Sequence, residues 1–265
     1  MAAPHPLILL PPSEGKSAGG DGPAWSPGSM SVDLDDQRAR VMAGLRQAMR
    51  ANVAARGKLL GVKGAALAAA TAANRELATA PTAPAIERYS GVLYGALEAG
   101  TLDRPARDRL DRSVLIVSGL WGLVAPADPI PDYKLKMGAS LRGTGKLSTW
   151  WRPAVDAAIA ARLVAQRHDQ VWNLLPQEHD AAWSGVSDRP VFTVRFLEPG
   201  RGGELVAVAH WNKFLKGALV RFLVEHPAAG PDELAQWEHP SGFVLDPARS
   251  VEDRGRTQLS FVQRS

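Results

Sequence analysis

The residues best suited to chemistry in this sequence are two lysines three positions apart. Lys213 and Lys216 occupy one face of a predicted helix that follows a strand, and Arg221 extends the same stripe. Apolar neighbours favour partial burial, and each lysine raises the cost of charging the other. We therefore expect the pair to bind an anionic ligand or, if one amine is neutral, to attack a carbonyl carbon. An internal carboxylate, with Glu14 and Glu178 as candidates, would instead make the lysines structural.

Other polar side chains follow predicted strands directly. Short apolar runs bounded by turn-forming residues predict strands at Leu7–Leu10, Val114–Val117 and Val171–Leu175. The side chains that come next are Ser13, Lys16, Ser118, Glu178 and His179. Ligands of α/β sheets gather beyond the carboxyl ends of the strands. We expect these groups, with Tyr133 and Lys136 from the loop after Ser118, to converge on one basic cleft in which Glu178 and His179 carry protons.

A glycine turn between two predicted helices offers a different kind of site. Residues 59–68 read as helix, tight turn and helix, with Gly61 and Gly64 enclosing Val62 and Lys63. Such a turn exposes backbone N–H groups at the start of the second helix, where phosphate binds well. The spacing resembles the helix-hairpin-helix motif of proteins that bind DNA without sequence specificity. A small-residue turn packed in the core is the alternative.

The order of elements predicts one α/β domain over residues 1–265, with a mixed β-sheet, surrounding helices and a helical hairpin insertion over residues 33–80. Asp33–Met49 is predicted to be an amphipathic helix whose arginines, Arg38 among them, face solvent. A further helix is predicted over Pro153–Arg167, with the proline in its first turn. Val191–Leu197 and Leu205–His210 are predicted to form a β-hairpin.

The amino-acid composition excludes some classes of protein and some kinds of functional site. The chain has 265 residues, of which 45% are hydrophobic and 22% charged, as expected for a globular protein. It contains no cysteine, which excludes disulfides, thiolate nucleophiles and cysteine-ligated metal sites. No apolar run is long enough to span a membrane, and the first residues lack the features of a signal peptide, so we expect cytoplasmic residence. The formal charge of +4 permits an anionic partner such as DNA without requiring one.

Several blocks of the sequence carry a family resemblance. In the run from Ser118 to Gly138 the matching residues are Ser118, Leu120, Gly122, Pro126, Asp128, Tyr133, Leu135, Met137 and Gly138. Three other blocks match at Pro11–Lys16, at Gly91 and Tyr94, and at His210, Asn212, Lys213, Lys216, Gly217 and Arg221. Together they resemble the YaaA peroxide-stress family, from Leu7 to Val262. Ala125, Pro176 and His179 depart from the family pattern, in which arginine, serine and tyrosine are usual.

The resemblance implies a cytoplasmic protein that binds DNA non-specifically through Gly61, Lys63 and Gly64 and limits oxidative damage during peroxide stress. The residues themselves suggest a second function, an enzyme of specialised biosynthesis that acts on an anionic or carbonyl-bearing small molecule. The candidate catalytic residues are Lys213, Lys216, Glu178, His179 and Tyr94. The candidate ligand-binding residues are Ser13, Lys16, Ser118, Tyr133, Lys136, His210, Asn212 and Arg221. We expect a monomer with no metal and no other cofactor.

Overall fold

A computed structural model describes residues 5–208, 211–237, 239, 241–253 and 255–264. His210, a predicted site residue, lies outside the described residues. The α-helices are α1 Asp35–Ala48, α2 Val53–Leu60, α3 Gly64–Glu76, α4 Ala85–Arg88, α5 Val92–Leu97, α6 Arg104–Ser113, α7 Leu147–Ala165, α8 Gln177–Asp180, α9 Asn212–Glu225 and α10 Pro231–Leu234. None of the helices in these ranges is long and apolar enough to cross a membrane.

The β-strands are distributed among these helices along the chain, in places with several strands in succession. They are β1 Leu7–Leu10, β2 Ala83–Pro84, β3 Val114–Ser118, β4 Gly122–Val124, β5 Pro129–Ile130, β6 Ser140–Leu141, β7 Gly145–Lys146, β8 Val171–Asn173, β9 Val191–Pro199, β10 Leu205–Ala207, β11 Phe243–Leu245, β12 Val251–Asp253 and β13 Arg256–Gln263. Most of them join one large sheet, and β2 with β5 and β6 with β7 form two small ones. The result is the mixed α/β fold that the sequence predicts.

The large sheet has a parallel centre and antiparallel edges. Its order is β11-β13-β9-β8-β1-β3-β4, with β10 paired to β9 and β12 to β13. The strands β13, β9, β8, β1 and β3 run parallel, and Ile8 of β1 lies between Trp172 of β8 and Val114 of β3. All four residues of β1 and all five of β3 are buried, as continuous apolar runs require. The prediction that β1, β3 and β8 share one sheet with their carboxyl ends together is confirmed.

The predicted helix in residues 33–49 is confirmed, but one of its arginines does not face solvent. Arg38 is fully buried instead of facing solvent. Its guanidinium donates to the carbonyls of Trp121 at 3.1 Å and Leu123 at 3.0 Å and pairs with Asp35 at 2.9 Å. Because these partners satisfy its charge and most of its donors, Arg38 fixes α1 against the turn after β3 and against β4. The helical periodicity of the sequence does not predict these partners, because they come from distant parts of the chain.

Two predicted boundaries are wrong. The helix predicted from Pro153 begins at Leu147, so the proline lies inside α7 and not in its first turn. The extra turns are held by Trp151, which is fully buried and whose indole N–H donates to the Gly119 carbonyl at 3.0 Å. The strand predicted to end at Leu175 ends at Asn173, whose side-chain oxygen accepts the Leu175 N–H at 3.1 Å and turns the chain out of the sheet.

Candidate functional site

A cleft lies beyond the carboxyl end of β1, between the loop that follows this strand, the segment 133–136 and the helix α8. Six of the predicted site residues line it together. The lining residues are Pro12, Ser13, Glu14, Lys16, Tyr133, Lys134, Leu135, Lys136, Glu178 and His179. The structure therefore brings groups from three separate parts of the chain to one place, as parallel strand ends do in α/β sheets.

Lys16 forms part of the inner wall of the cleft. Its amine donates to the Ser13 carbonyl at 3.2 Å and lies 4.1 Å from the centre of the Tyr133 ring and 5.6 Å from that of Tyr89. No carboxylate of the described residues forms an ion pair with it. Burial lowers the pKa of Lys16 to about 8, against the opposing charge of Asp132. At pH 7 roughly a tenth of this amine is therefore neutral.

A chain of three hydroxyl groups lies behind Lys16. The Tyr133 hydroxyl hydrogen bonds to that of Tyr89 at 2.8 Å and to that of Ser118 at 2.8 Å. Ser118 is fully buried and also accepts the N–H groups of Leu120 and Trp121. Burial raises the pKa of Tyr133 to about 12 and also raises the pKa of Tyr89, so both phenols stay protonated at neutral pH. Ser118 therefore supports the wall of the cleft through its hydrogen bond to Tyr133 and does not itself line the cleft.

Tyr94 also lies behind the cleft wall. Its hydroxyl donates to the Pro11 carbonyl at 2.8 Å, and its ring packs on Tyr89 with 5.3 Å between ring centres. Gly91, one turn earlier, leaves room for the loop after β1, because a Cβ there would collide with the Ser13 hydroxyl. The structure gives Tyr94 a position that supports the loop carrying Ser13 and Lys16.

Two glutamates at the cleft have partners other than Lys213 and Lys216. Glu14 pairs with Lys134 at 2.9 Å, and this hydrogen bond is the main reason that the pKa of Glu14 is lowered. Glu178 accepts the Gly138 N–H at 2.6 Å. Beside it, burial lowers the pKa of His179, with the Glu178 charge opposing, so the imidazole is neutral at neutral pH and able to accept a proton.

The lysines on α9 differ from each other in surroundings. Lys213 is exposed and does not line the cleft, although its charge contributes to the lowered pKa of Glu14. Lys216 is half-buried, donates to the Leu174 carbonyl at 3.0 Å and does not line the cleft. Burial lowers the pKa of Lys216 to about 8, with Asp180 opposing. Their predicted catalytic roles stay predictions.

Two other predicted residues of α9 are placed as follows. Asn212 is the first residue of the helix and is half-buried. Arg221 binds the carbonyls of Leu97 and Glu98 and the Thr101 hydroxyl, and pairs with Glu225 at 3.0 Å. Arg221 therefore joins α9 to the turn after α5, away from the residues that line the cleft.

A groove beside the helical hairpin continues the cleft. Lys136 and Glu178 line both, and the other lining residues of the groove are Ala55, Lys58, Leu59, Gly61, Gly138, Ala139 and Ser140. Gly61 ends α2 with φ +67°, and a Cβ there would lie 2.8 Å from the Lys136 amine. The positive φ of the turn favours glycine at this position, whereas the Lys136 amine, at the end of a flexible side chain, could move away from a Cβ.

The hairpin is fixed to the cleft from the other side. Asn74 of α3 donates to the Lys134 carbonyl at 2.8 Å, and the Lys134 N–H donates to the Asn74 side chain at 2.9 Å. At the tip, Lys63 precedes α3 and does not cap it with its side chain, and both Lys63 and Gly64 are exposed. The first N–H groups of α3 therefore lie at an exposed turn and have no side-chain acceptor among the described residues.

Sequence reasoning did not select Tyr89 or Lys134 as site residues. Tyr89 lies in the block that contains Gly91 and Tyr94, and Lys134 lies between Tyr133 and Lys136, so neighbouring matches were the available signal. Within the described ranges, no three His, Cys, Asp or Glu side chains come close enough to hold a metal ion. The cleft offers amines, carboxylates, one hydroxyl, one phenol and one imidazole as its chemical groups.

Comparisons with known proteins identify the family of this chain. A family model described as peroxide stress protein YaaA matches residues 7–249. A UPF0246 protein of Streptomyces coelicolor is 37% identical over 263 residues, which cover 91% of this chain and 92% of the relative. A UPF0246 protein of Corynebacterium glutamicum is 34% identical over 249 residues, covering 91% and 94% of the two chains. The chain belongs to the YaaA family of peroxide stress proteins.

Proposed function

We propose that this protein acts in the cytoplasm during peroxide stress by binding DNA without sequence preference along the hairpin groove and the adjoining cleft. One observation carries the proposal. The first N–H groups of α3, which no described side chain caps, lie near lysines from three segments of the chain. Lys58 and Lys136 line the groove, and Lys63 stands exposed at the turn before α3. Backbone N–H groups and lysine amines are the donors that bind phosphate oxygens.

The shape of the tip favours backbone contacts over reading of bases. Gly64, Ala65 and Ala66 open α3 and are exposed, and none of them has a side chain that can reach a base edge. Phosphate contacts carry no sequence information. A protein that uses this surface would therefore bind duplexes of different sequence with similar affinity, and its binding would weaken with salt as counterions compete.

Fluorescence anisotropy with two unrelated random-sequence duplexes tests the proposal. If about three phosphates are neutralised, a fourfold rise in salt weakens binding about fortyfold. Lys63→Glu should weaken binding to both duplexes by about tenfold and reduce the salt slope by about 1. The matched control is Arg201→Glu, another exposed cation, in the turn between β9 and β10. Equal affinities of wild type and Lys63→Glu would remove the hairpin from the proposal, and no binding at low salt would remove DNA.

A second candidate function is an enzyme that acts on a small carbonyl-bearing or anionic molecule in the cleft. Lys16 favours it, because this amine lies in the cleft wall without an ion-pair partner among the described residues. Its neighbours Lys134 and Lys136 supply positive charge for an anionic group, and Glu178 and His179 line the same space as proton carriers. Reaction of the purified protein with small aldehydes and phosphates tests this function without DNA.

A further inference from the structure

The proposed contacts with the DNA backbone give no role to the Lys16 amine in the cleft wall. Lys134 is paired with Glu14, whereas Lys16 is held by one carbonyl and by the face of Tyr133. A buried phosphate contact does not need an aromatic wall or a half-buried lysine, since exposed lysines bind phosphate as point charges. The position of Lys16 therefore suits a ligand group other than phosphate.

The surroundings of Lys16 suit an amine nucleophile. A nucleophilic lysine must be partly neutral, which proteins achieve by removing it from water and placing it near other cations. Lys16 is half-buried, and Lys134 and Arg88 are among the cations whose charges act on it. Burial lowers its pKa to about 8, so roughly a tenth of the amine is neutral at pH 7. The single hydrogen bond to the Ser13 carbonyl leaves the amine able to turn toward the cleft.

The cleft also adjoins the surface proposed to hold a DNA backbone. Lys136 and Glu178 are shared by the cleft and the hairpin groove, so a strand in the groove passes the mouth of the cleft. A sugar that has lost its base opens to an aldehyde while it stays linked to phosphates on both sides. Such a sugar presents the two features that this surface recognises, an electrophilic carbonyl and flanking negative charges.

We propose that Lys16 condenses with the aldehyde of an abasic deoxyribose in DNA, an inference that rests on the DNA binding proposed above. The amine nitrogen attacks C1′ and a C–N bond forms as the C–O π bond breaks. Both hydrogens of the neutral amine then leave with the carbonyl oxygen as one water molecule, and the product is an imine. No oxidant or reductant takes part, and His179 and Glu178 stand in the same cleft to relay the protons.

Borohydride trapping tests the proposal, because it reduces an imine to a stable secondary amine. The wild-type protein is incubated with an abasic duplex, with the intact duplex of the same sequence and with glyceraldehyde 3-phosphate, each with borohydride, and adducts are mapped by peptide mass spectrometry. We expect an adduct on Lys16 with the abasic duplex. Lys16→Arg keeps the charge but not the nucleophile, so its adduct should fall at least tenfold, whereas Lys146→Arg should retain it.

The outcomes separate this inference from the proposed function. The position of the reduced adduct in the wild-type protein shows whether Lys16 forms the imine, even if Lys16→Arg fails to fold. Binding of the intact duplex without an adduct on Lys16, or an adduct mapped to another lysine, overturns the inference and leaves DNA binding in place. An adduct formed only with glyceraldehyde 3-phosphate overturns the DNA-linked substrate and supports the small-molecule enzyme. Failure to bind either duplex overturns the proposed function and the inference with it.

Discussion

Lys16 in the cleft wall and Lys216 on α9 have similar local chemistry in two different regions. Each amine is half-buried and donates to a carbonyl just beyond a parallel strand, Ser13 after β1 and Leu174 after β8. Burial lowers the pKa of both lysines to about 8. They differ in what surrounds them, since Lys16 lines the cleft and Lys216 does not.

The difference teaches that a lowered lysine pKa does not by itself place an amine in the cleft. Around Lys216 the structure shows support for the fold. Leu174 is fully buried, and the nearby Asp180 is held by Arg256 at 2.9 Å and by the Asn173 side chain at 2.7 Å. Lys216 therefore joins α9 to the end of β8. Lys16 has the Tyr133 ring on one side and the open cleft on the other. Lys16 and Lys216 therefore differ in whether a ligand in the cleft can reach the amine.

The largest expected effect concerns the property that the two lysines share. Each binds fewer protons in the folded than in the unfolded chain between pH 8 and pH 10.5, so stability should rise with pH in this window. Each lysine contributes at most about 3 kcal/mol to the rise. Above about pH 10 the raised pKa of Tyr133 acts in the opposite sense, because the phenol ionises first in the unfolded chain.

Urea unfolding at a series of pH values measures this rise. Lys16→Met and Lys216→Met should each flatten the curve between pH 8 and pH 10, and the double variant should flatten it most. The control is Lys63→Met, which removes an exposed lysine and should leave the slope unchanged. A wild-type stability that is constant over this range would contradict the shared lowering of pKa.

The next effect separates the two lysines. Each methionine variant removes a buried charge, and burying that charge costs a similar free energy at the two sites. The difference in stability between the variants therefore reports the cost of leaving the Ser13 or the Leu174 carbonyl without its lysine donor. Water in the cleft can replace the lysine at Ser13, but Leu174 is fully buried. We expect Lys216→Met to be less stable than Lys16→Met by about 1 to 2 kcal/mol in urea unfolding at neutral pH. Equal stabilities would mean that both lysines are structural to the same degree.

The smallest effect concerns the aromatic wall of the cleft. Tyr133→Phe keeps the ring beneath Lys16 but removes hydrogen bonds to Tyr89 and Ser118, whereas Tyr94→Phe removes one bond, to the Pro11 carbonyl. Tyr133→Phe should therefore be less stable than Tyr94→Phe by about 1 kcal/mol. Thermal unfolding of the two variants side by side gives the difference. The reverse order would show that the hydroxyl chain does not support the wall.

Much of the frame could be predicted from local sequence. The strands β1 and β3 are continuous apolar runs bounded by turn residues, and Gly61 marks the end of α2, so each is encoded within a few positions. Parallel pairing then placed the strand ends together. Six predicted residues met in one cleft because the rule on carboxyl ends of strands depends on topology alone.

What could not be predicted depends on partners that are distant in sequence. The burial of Arg38 follows from carbonyls more than eighty residues away along the chain. Helical spacing made Lys213 and Lys216 look equivalent, but one is exposed and the other binds Leu174, since three residues span less than a full turn and face different surroundings. Tyr89 and Lys134 were passed over because their partners become visible only in three dimensions.

Amine labelling in the presence and absence of DNA tests most directly whether the cleft and the hairpin groove form one surface. The protein is treated briefly with acetic anhydride at pH 8, with and without saturating intact duplex, and each lysine is followed by mass spectrometry. We predict that Lys16 reacts readily in the free protein and at least about tenfold more slowly with duplex, together with Lys63 and Lys136, while Lys216 reacts slowly in both states. Protection of Lys63 with no change at Lys16 would contradict the joining of cleft and groove.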